Sequence, residues 1–330
     1  ISNTATCTTP NDFSKAGDWG DCGSGKAYNT GNPAKFNFTL AHKASYLCFL
    51  PRCENTTLAP NIRLKGIKIT ATNEMRFADL CMFDGEELTA PGSPFGWDFI
   101  NVDLPDFKID TKANLALNAV YMVVRPGTYN FKIEYTIEDP TTNVVGTITD
   151  VRTGITLAKD NFYDVTANLT PPVLTQPKYY MWDAQEQYWK GHEWWSSNKD
   201  QPALNYGMNG NYPKSNTDPR YHNEAYTYGV DNPATHTPCK DLPNANELTW
   251  YCAYGDPRWD EDEVWTTMGH LYKGGMWFKK KSVLLAKGHY NSNTAFDGAD
   301  WRRLNKTKTW FSSLTPPSAA DAGNYFYLPA

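Results

Sequence analysis

YNFKIEYTI, residues 129–137, reads as a strand with one face in a core and the other in water. Tyr129, Phe131, Ile133, Tyr135 and Ile137 alternate with Asn130, Lys132, Glu134 and Thr136, the period of two that a half-buried strand requires. An apolar run at 120–124 precedes it, broken off by Pro126-Gly127, and Asp139-Pro140 turns the chain after it. Outward from this strand, alternation or short apolar runs recur at 36–40, 46–50, 62–69, 145–149, 155–157 and 163–169. Ile62 and Leu64 take one register and Ile67 and Ile69 the other, which predicts a bulge at Gly66. Some seven strands with almost no helical periodicity predict a β-sandwich over 36–172. Residues 1–35 are rich in Gly, Asn, Asp and Thr and read as irregular and surface-lying, with room for one short strand.

Composition changes at Thr170-Pro171-Pro172: ten of the 12 tryptophans and fourteen of the 20 tyrosines follow residue 172. This sets a boundary between the sandwich and an aromatic-rich second domain, 173–330. Residues 198–240 form a long polar, proline-rich segment, of the kind that tends to carry a functional surface. The stretch LPNANELTWYCAYGDPRWDEDEVWTTMGHLYKGGMWFKKK, 242–281, gives this domain its organising elements. Asn244 is placed to cap a helix, with Glu247 completing a capping box. Leu248, Tyr251 and Cys252 supply an apolar face, and Gly255 is expected to take the left-handed turn that ends the helix. Asp260, Glu261, Asp262 and Glu263 either load the first turn of a second short helix or surround a cation. Gly274-Gly275 is predicted to turn the chain into a strand at 276–278, closed by a solvent-facing run of Lys279, Lys280 and Lys281.

The net charge is −5, from 31 basic and 36 acidic residues, and neither half is basic, so a nucleic-acid footprint is absent. No apolar run approaches the ~20 residues that span a bilayer. Six histidines show no HxxxH or HExxH spacing and no GxSxG occurs, so zinc-protease and serine-hydrolase readings fail. Seven cysteines include no CxxC pair, against a zinc site. Cys7 with Cys22, and Cys239 with Cys252, are candidate bridges, with buried thiols the equal alternative. His270, between Gly269 and Leu271, reads as a packed, hydrogen-bonded residue.

HKASYLCFLP (42–51), IRLKGIKIT (62–70) and YMVVRPGTYNFKIEYTI (121–137) resemble the fimbrillin-like proteins of Bacteroidetes, subunits of surface pili with a transthyretin-like β-sandwich. YYMWDAQEQYW (179–189), LPNANELTWY (242–251), GHLYKGGMWFKKK (269–281) and YFYLPA (325–330) resemble the C-terminal domain of fimbrillin-type proteins similar to the Fibrobacter major paralogous domain. Its LP-x-x-x-E helix start is similar to C-type-lectin-like domains. The resemblance implies a mainly β chain: a pilin-like sandwich followed by an α+β lectin-like head, incomplete where the family continues past YFYLPA. It also implies a tip or accessory subunit at the cell surface, in the fimbrium or outer membrane. Such a subunit is exported, processed by an arginine-specific protease and joined to other pilus subunits by β-strand addition. A chain opening at Ile1 suits such processing; Arg52 is a second conceivable cleavage point, though an exposed turn arginine is the simpler reading. The calcium tripeptides of sugar-binding C-type lectins are absent, as is the paired-cysteine context of formylglycine-generating relatives.

Rings that stack on a sugar beside amides and carboxylates make a shallow glycan site. Trp194-Trp195, Tyr221-His222 and Trp259-Asp260 offer such pairs in polar contexts, against the alternative that most of these rings fill the core. No cofactor is expected, and the only metal candidates are Asp260, Asp262 and Glu263. The expected function is binding of a glycan or glycoprotein without catalysis. The alternatives are a glycan-active enzyme with a sandwich accessory module and a purely structural minor pilin.

Overall fold

Tyr129, Phe131, Ile133, Tyr135 and Ile137 are each at most 1% exposed, while the residues between them are half-buried. The alternation in the sequence is thus the inner face of a strand. Burying five such side chains at roughly 1.5–3 kcal/mol each gives the core its centre. The computed structural model describes residues 1–80, 82–83, 88–89, 96–174, 178–193, 196, 211–224, 230, 232–236 and 238–330. The protein is mainly β; beside two-residue pairings, the strands of its first two large sheets are β1 (Thr4–Thr6), β2 (Ser45–Arg52), β3 (Arg63–Ala71), β4 (Phe99–Lys108), β5 (Val120–Val124), β6 (Gly127–Asp139), β7 (Val144–Leu157) and β8 (Phe162–Asn168). Two compact units divide the chain: Ile1–Leu174 with Asp262–Lys273, and Thr175–Glu261 with Gly274–Ala330.

In the first unit one sheet has the order β1-β4-β3-β6-β7 and the other β5-β2-β8. Leu47 and Phe49 of β2 and Met122 and Val124 of β5 share one buried cluster with Ile67, Val102, Ile133 and Tyr135 of the larger sheet. The two sheets therefore face each other across a common core. Gly66 opposes Thr136 while Leu64 opposes Ile137, so Lys65 is the extra residue of the bulge expected at Gly66. The smaller sheet is covered on its other side as well: Tyr46 packs with Ala16, Trp19 and Val123. Its ring meets Phe13 edge-on at 5.3 Å.

Within the sandwich, the strand readings change in three places. β4 was not anticipated, and it lies between β1 and β3 in the larger sheet. The runs at 145–149 and 155–157 are one strand, β7, whose register shifts opposite the Tyr129–Phe131 stretch of β6. Phe36, Phe38 and Leu40 are not core residues at all but are more than half exposed. No disulfide forms between Cys7 and Cys22 or between Cys239 and Cys252. The Cys7 thiol donates to the Thr9 carbonyl at 3.1 Å, and Cys239 Sγ accepts from the Asp183 N–H at 3.3 Å.

The first core is completed from late in the sequence. β9 (Arg258–Thr267) and β10 (His270–Lys279) form a hairpin. Its turn is at Met268-Gly269, both with positive φ (53° and 77°), the backbone a tight hairpin needs. Gly274 and Gly275, expected to turn the chain into a strand at 276–278, instead lie inside β10. Val264 and Leu271 near the turn belong to the sandwich core. A side chain at Gly146 would run into Val264 Cγ1, so this glycine makes room for the hairpin. Asp139, fully buried, accepts from Leu271 N–H (3.0 Å) and Thr141 N–H (2.8 Å) and lies 2.9 Å from His270 Nδ1. His270 is thus the hydrogen-bonded residue the sequence suggested. Burial alone would push Asp139 up, but those bonds outweigh it and hold the carboxyl below its usual range.

In the second unit α1 (Ala245–Tyr254) starts with the capping box as read: Glu247 N–H donates to Asn244 Oδ1 at 3.1 Å, and Asn244 N–H to Glu247 Oε2 at 2.8 Å. Its buried residues, however, are Asn246 and Thr249, while Leu248 is half exposed. Asn246 accepts from Trp301 N–H (2.7 Å) and donates to Asp300 (2.8 Å), and Thr249 Oγ1 accepts from Phe296 N–H (3.1 Å). The helix is held on this side by hydrogen bonds rather than by the predicted apolar stripe. Gly255 ends it with φ −75°, and the left-handed residue is Asp256 (φ 49°). Gly255 is needed because any Cβ there would strike the Tyr251 carbonyl. α2 (Lys281–Ala286) follows β10 directly, and β11 (Tyr325–Pro329) pairs antiparallel with β10. The lysine run is engaged, not simply solvated. Lys279 lies 3.5 Å from Asp256, Lys280 donates to the Gly323 carbonyl at 2.8 Å, and Lys281 lies 3.6 Å from Glu247.

Replacing Asp139 by Ala leaves the buried Leu271 N–H and the part-buried Thr141 N–H without their acceptor, and is expected to lower unfolding free energy by about 3 kcal/mol in urea titrations. Gly146→Val, which forces Val264 out of place, is expected to cost about 1–3 kcal/mol. An unchanged urea midpoint for both variants would show that the hairpin turn is not part of this core.

Candidate functional site

The second unit carries a groove of about 590 Å³ between Trp182, the short turn Cys239–Asp241 and the start of α1. Trp182 and Leu242 present apolar surface to it, 45% and 60% exposed, and Lys240, Glu247 and Arg302 bring charge to its lining. Asp300 grips Arg302 through two bonds, from Nε (2.8 Å) and Nη2 (2.9 Å), which fixes the guanidinium plane. The Arg302 bond holds the Asp300 carboxyl well below the usual carboxylate range, against the opposing effect of desolvation. Glu247 is committed to the capping box and to Lys281. The groove thus combines an indole, proline rings at Pro233 and Pro243, and two cationic side chains.

Its wall is set by one buried carboxylate. Asp183 follows Trp182 in sequence, has positive φ (53°) and is 1% exposed. It accepts from His236 N–H (2.7 Å), Thr235 N–H (2.8 Å), Thr235 Oγ1 (2.9 Å) and Asn223 Nδ2 (3.2 Å). Its own carbonyl lies 2.9 Å from His236 Nδ1. Three separate chain segments converge on this group, and the segments themselves have no regular secondary structure. Desolvation would raise its pKa, but the donors prevail and bring it to about 2.

The residues singled out in the sequence fall in several places. Tyr221 and His222, with ring centroids 4.0 Å apart, line a smaller cavity of about 150 Å³ beside Asp183 and His236. Trp259 and Asp260 are consecutive on β9, so their side chains leave on opposite faces. Trp259 lies against Gly274, and Asp260 is buried and accepts from Trp277 Nε1 at 3.0 Å. Trp194 and Trp195 lie outside the described residues. The acidic run is mid-strand, not a helix turn: Asp262 is exposed and 3.8 Å from Lys273, and Glu263 is half-buried. Among the described residues no three carboxylate, imidazole or thiol groups are placed to hold a metal. Sequence reasoning missed Trp182, Lys240 and Arg302. The dipeptide Trp182-Asp183 stood in the quoted stretch 179–189, but what converges on it is set by the tertiary fold.

No family profile matches the chain, and no curated protein matches it. Among solved structures it is similar to a candidate cell adhesion protein of Bacteroides fragilis, at 15% identity and a TM-score of 0.28. That match covers 43% of this chain and 48% of the other, less than half the length of either.

Because the folded pKa of Asp183 is depressed, its contribution to stability is complete above the unfolded value near pH 4 and is lost as the pH falls toward 2. Acid titration followed by tryptophan fluorescence is expected to show the second unit opening in that window. Asp183→Ala is expected to open it at neutral pH with a loss of about 3 kcal/mol. A wild-type acid profile retained by the alanine variant would remove this carboxylate from its assigned role.

Proposed function

We propose that this is a cell-surface binding protein of the adhesive pilus type, acting by capture rather than by turnover. On this reading it is a tip or accessory subunit whose aromatic second unit holds a glycan or glycoprotein. The observation that carries it is the groove beside Trp182: a half-exposed indole next to Lys240 and an Arg302 pre-oriented by Asp300. An indole face packs on the C–H face of a sugar ring, and fixed cationic donors take its hydroxyl or carboxylate oxygens. The resemblance of residues 42–51, 62–70 and 121–137 to fimbrillin-like pilins supports the assembly half of the proposal. For strand addition the larger sheet keeps one edge for a neighbour. Its own β1 runs parallel to β4 at one side, and the other side ends in the fourteen-residue β7.

The test is a glycan array probed with the whole chain. Truncation near residue 172 would remove Val264 and Leu271 from the first core, so point variants are the cleaner tool. Saturable binding to a glycan class is expected, weakened at least tenfold by Trp182→Ala and by Lys240→Ala, about 1.4 kcal/mol or more each. An array left blank by the folded, intact chain, or binding indifferent to both substitutions, would sink the proposal.

A further inference from the structure

Gly23–Ser24 pairs with Ala41–His42, Gly23 opposite His42, and Tyr28–Asn29 pairs with Phe36–Asn37, Tyr28 opposite Asn37. Both pairings fit a single register, so residues 23–42 run as one antiparallel hairpin, laddered near its base (23–24 with 41–42) and near its tip (28–29 with 36–37) and without ladder bonds between. Its base is fixed: Lys43 N–H donates to the Cys22 carbonyl (2.9 Å), and Asp21 takes the Tyr46 hydroxyl (2.6 Å) and lies 3.0 Å from His42 Nδ1.

Opposed residues share a face and neighbours alternate, so the register sorts the side chains. Phe36 opposes Asn29, and the same register carried through the unladdered residues puts Phe38 and Leu40 on the face of Phe36. Lys26, Lys35 and Lys43 all lie on the other, with Tyr28, Asn37 and Thr39. The ribbon is amphipathic, and its apolar face is uncovered: Phe36, Phe38 and Leu40 are 54%, 61% and 52% exposed. Two strands alone cannot bury such a face, and a contiguous apolar ridge of this kind marks a binding surface.

Charge and size select the occupant. From Cys22 to Lys43 there are three lysines and no carboxylate, in a chain whose net charge is −5. From the Gly23–His42 pair to the Asn29–Phe36 pair the hairpin spans only about 20 Å and is two strands wide, a face of a few hundred Å². Counted on two copies together it still falls short of the ~1,000 Å² total that a stable dimer interface buries. A lipid surface demands no shape complementarity and gains from both halves of the pattern.

We propose that residues 22–43 lie flat on an anionic lipid surface. Phe36, Phe38 and Leu40 enter the acyl boundary, and Lys26, Lys35 and Lys43 reach the headgroup phosphates, as in an in-plane amphipathic element. Tyr28, 68% exposed on the cationic face, sits at headgroup level.

Co-sedimentation of the full chain with phosphatidylglycerol–phosphatidylcholine vesicles tests this, with pure phosphatidylcholine vesicles alongside. Binding is expected only to the anionic vesicles and is expected to weaken with salt. A Phe36→Ser, Phe38→Ser, Leu40→Ser triple variant and a Lys26→Glu, Lys35→Glu double variant should each bind at least about tenfold more weakly. Both should keep the thermal midpoint, because none of these side chains is in a core. Absence of sedimentation, or equal binding by the variants, overturns the proposal. So does self-association in the ultracentrifuge that the triple variant abolishes, which would assign the face to a second copy. Preferential binding of polyglutamate over vesicles would instead assign it to an acidic polypeptide.

Discussion

The buried carboxylate of Asp139 is the interaction on which the first unit depends. It sits at the end of strand β6 and takes its donors from the adjoining turn and from residues 270 and 271. An ionised group in that position is tolerable only while all these donors are present. The packing around it is equally committed, with Val264 seated over Gly146 and Leu271 enclosed in the sandwich core. Polar satisfaction and close packing therefore require the same placement of the hairpin turn.

The second unit uses the same device for a different purpose. Its segments around Trp182, Asn223 and Thr235 contain little helix or strand, so backbone ladders cannot order them. Asp183, in the first of them, does so by gathering donors from the other two. α1 follows suit, turning Asn246 and Thr249 inward rather than Leu248. A domain poor in aliphatic residues thus holds its shape through saturated polar groups, which leaves indole surface such as that of Trp182 available outside.

What could be read from the sequence was what depends on near neighbours. The alternation of β6, the bulge beside Gly66 and the Asn244 capping box are local patterns, and all three are present. β4 carries alternation too, at Ile100, Val102 and Leu104, but Pro105 interrupts it and conceals the strand. The glycine pair at 274–275 looked like a turn. Its actual requirement is the close approach of β11, since a side chain at Gly275 would strike the Leu328 carbonyl. The acidic run suited a helix start by charge alone, yet β-pairing decided it. Phe36, Phe38 and Leu40 show the limit of periodicity: it gives the face a residue shares, not whether that face is covered. The groove beside Trp182 combines residues near 182, 233, 240 and 302, which no local spacing can announce.

Leu271 bonds to Asp139 across 132 positions of chain. During synthesis the sandwich strands are all outside the ribosome long before that partner is made. Until then the nascent sandwich carries an open apolar seat and an unsatisfied carboxylate, a state prone to wrong association. The first unit, though earliest in sequence, is therefore finished late, and chaperone attention should fall on it while the remainder is still being translated.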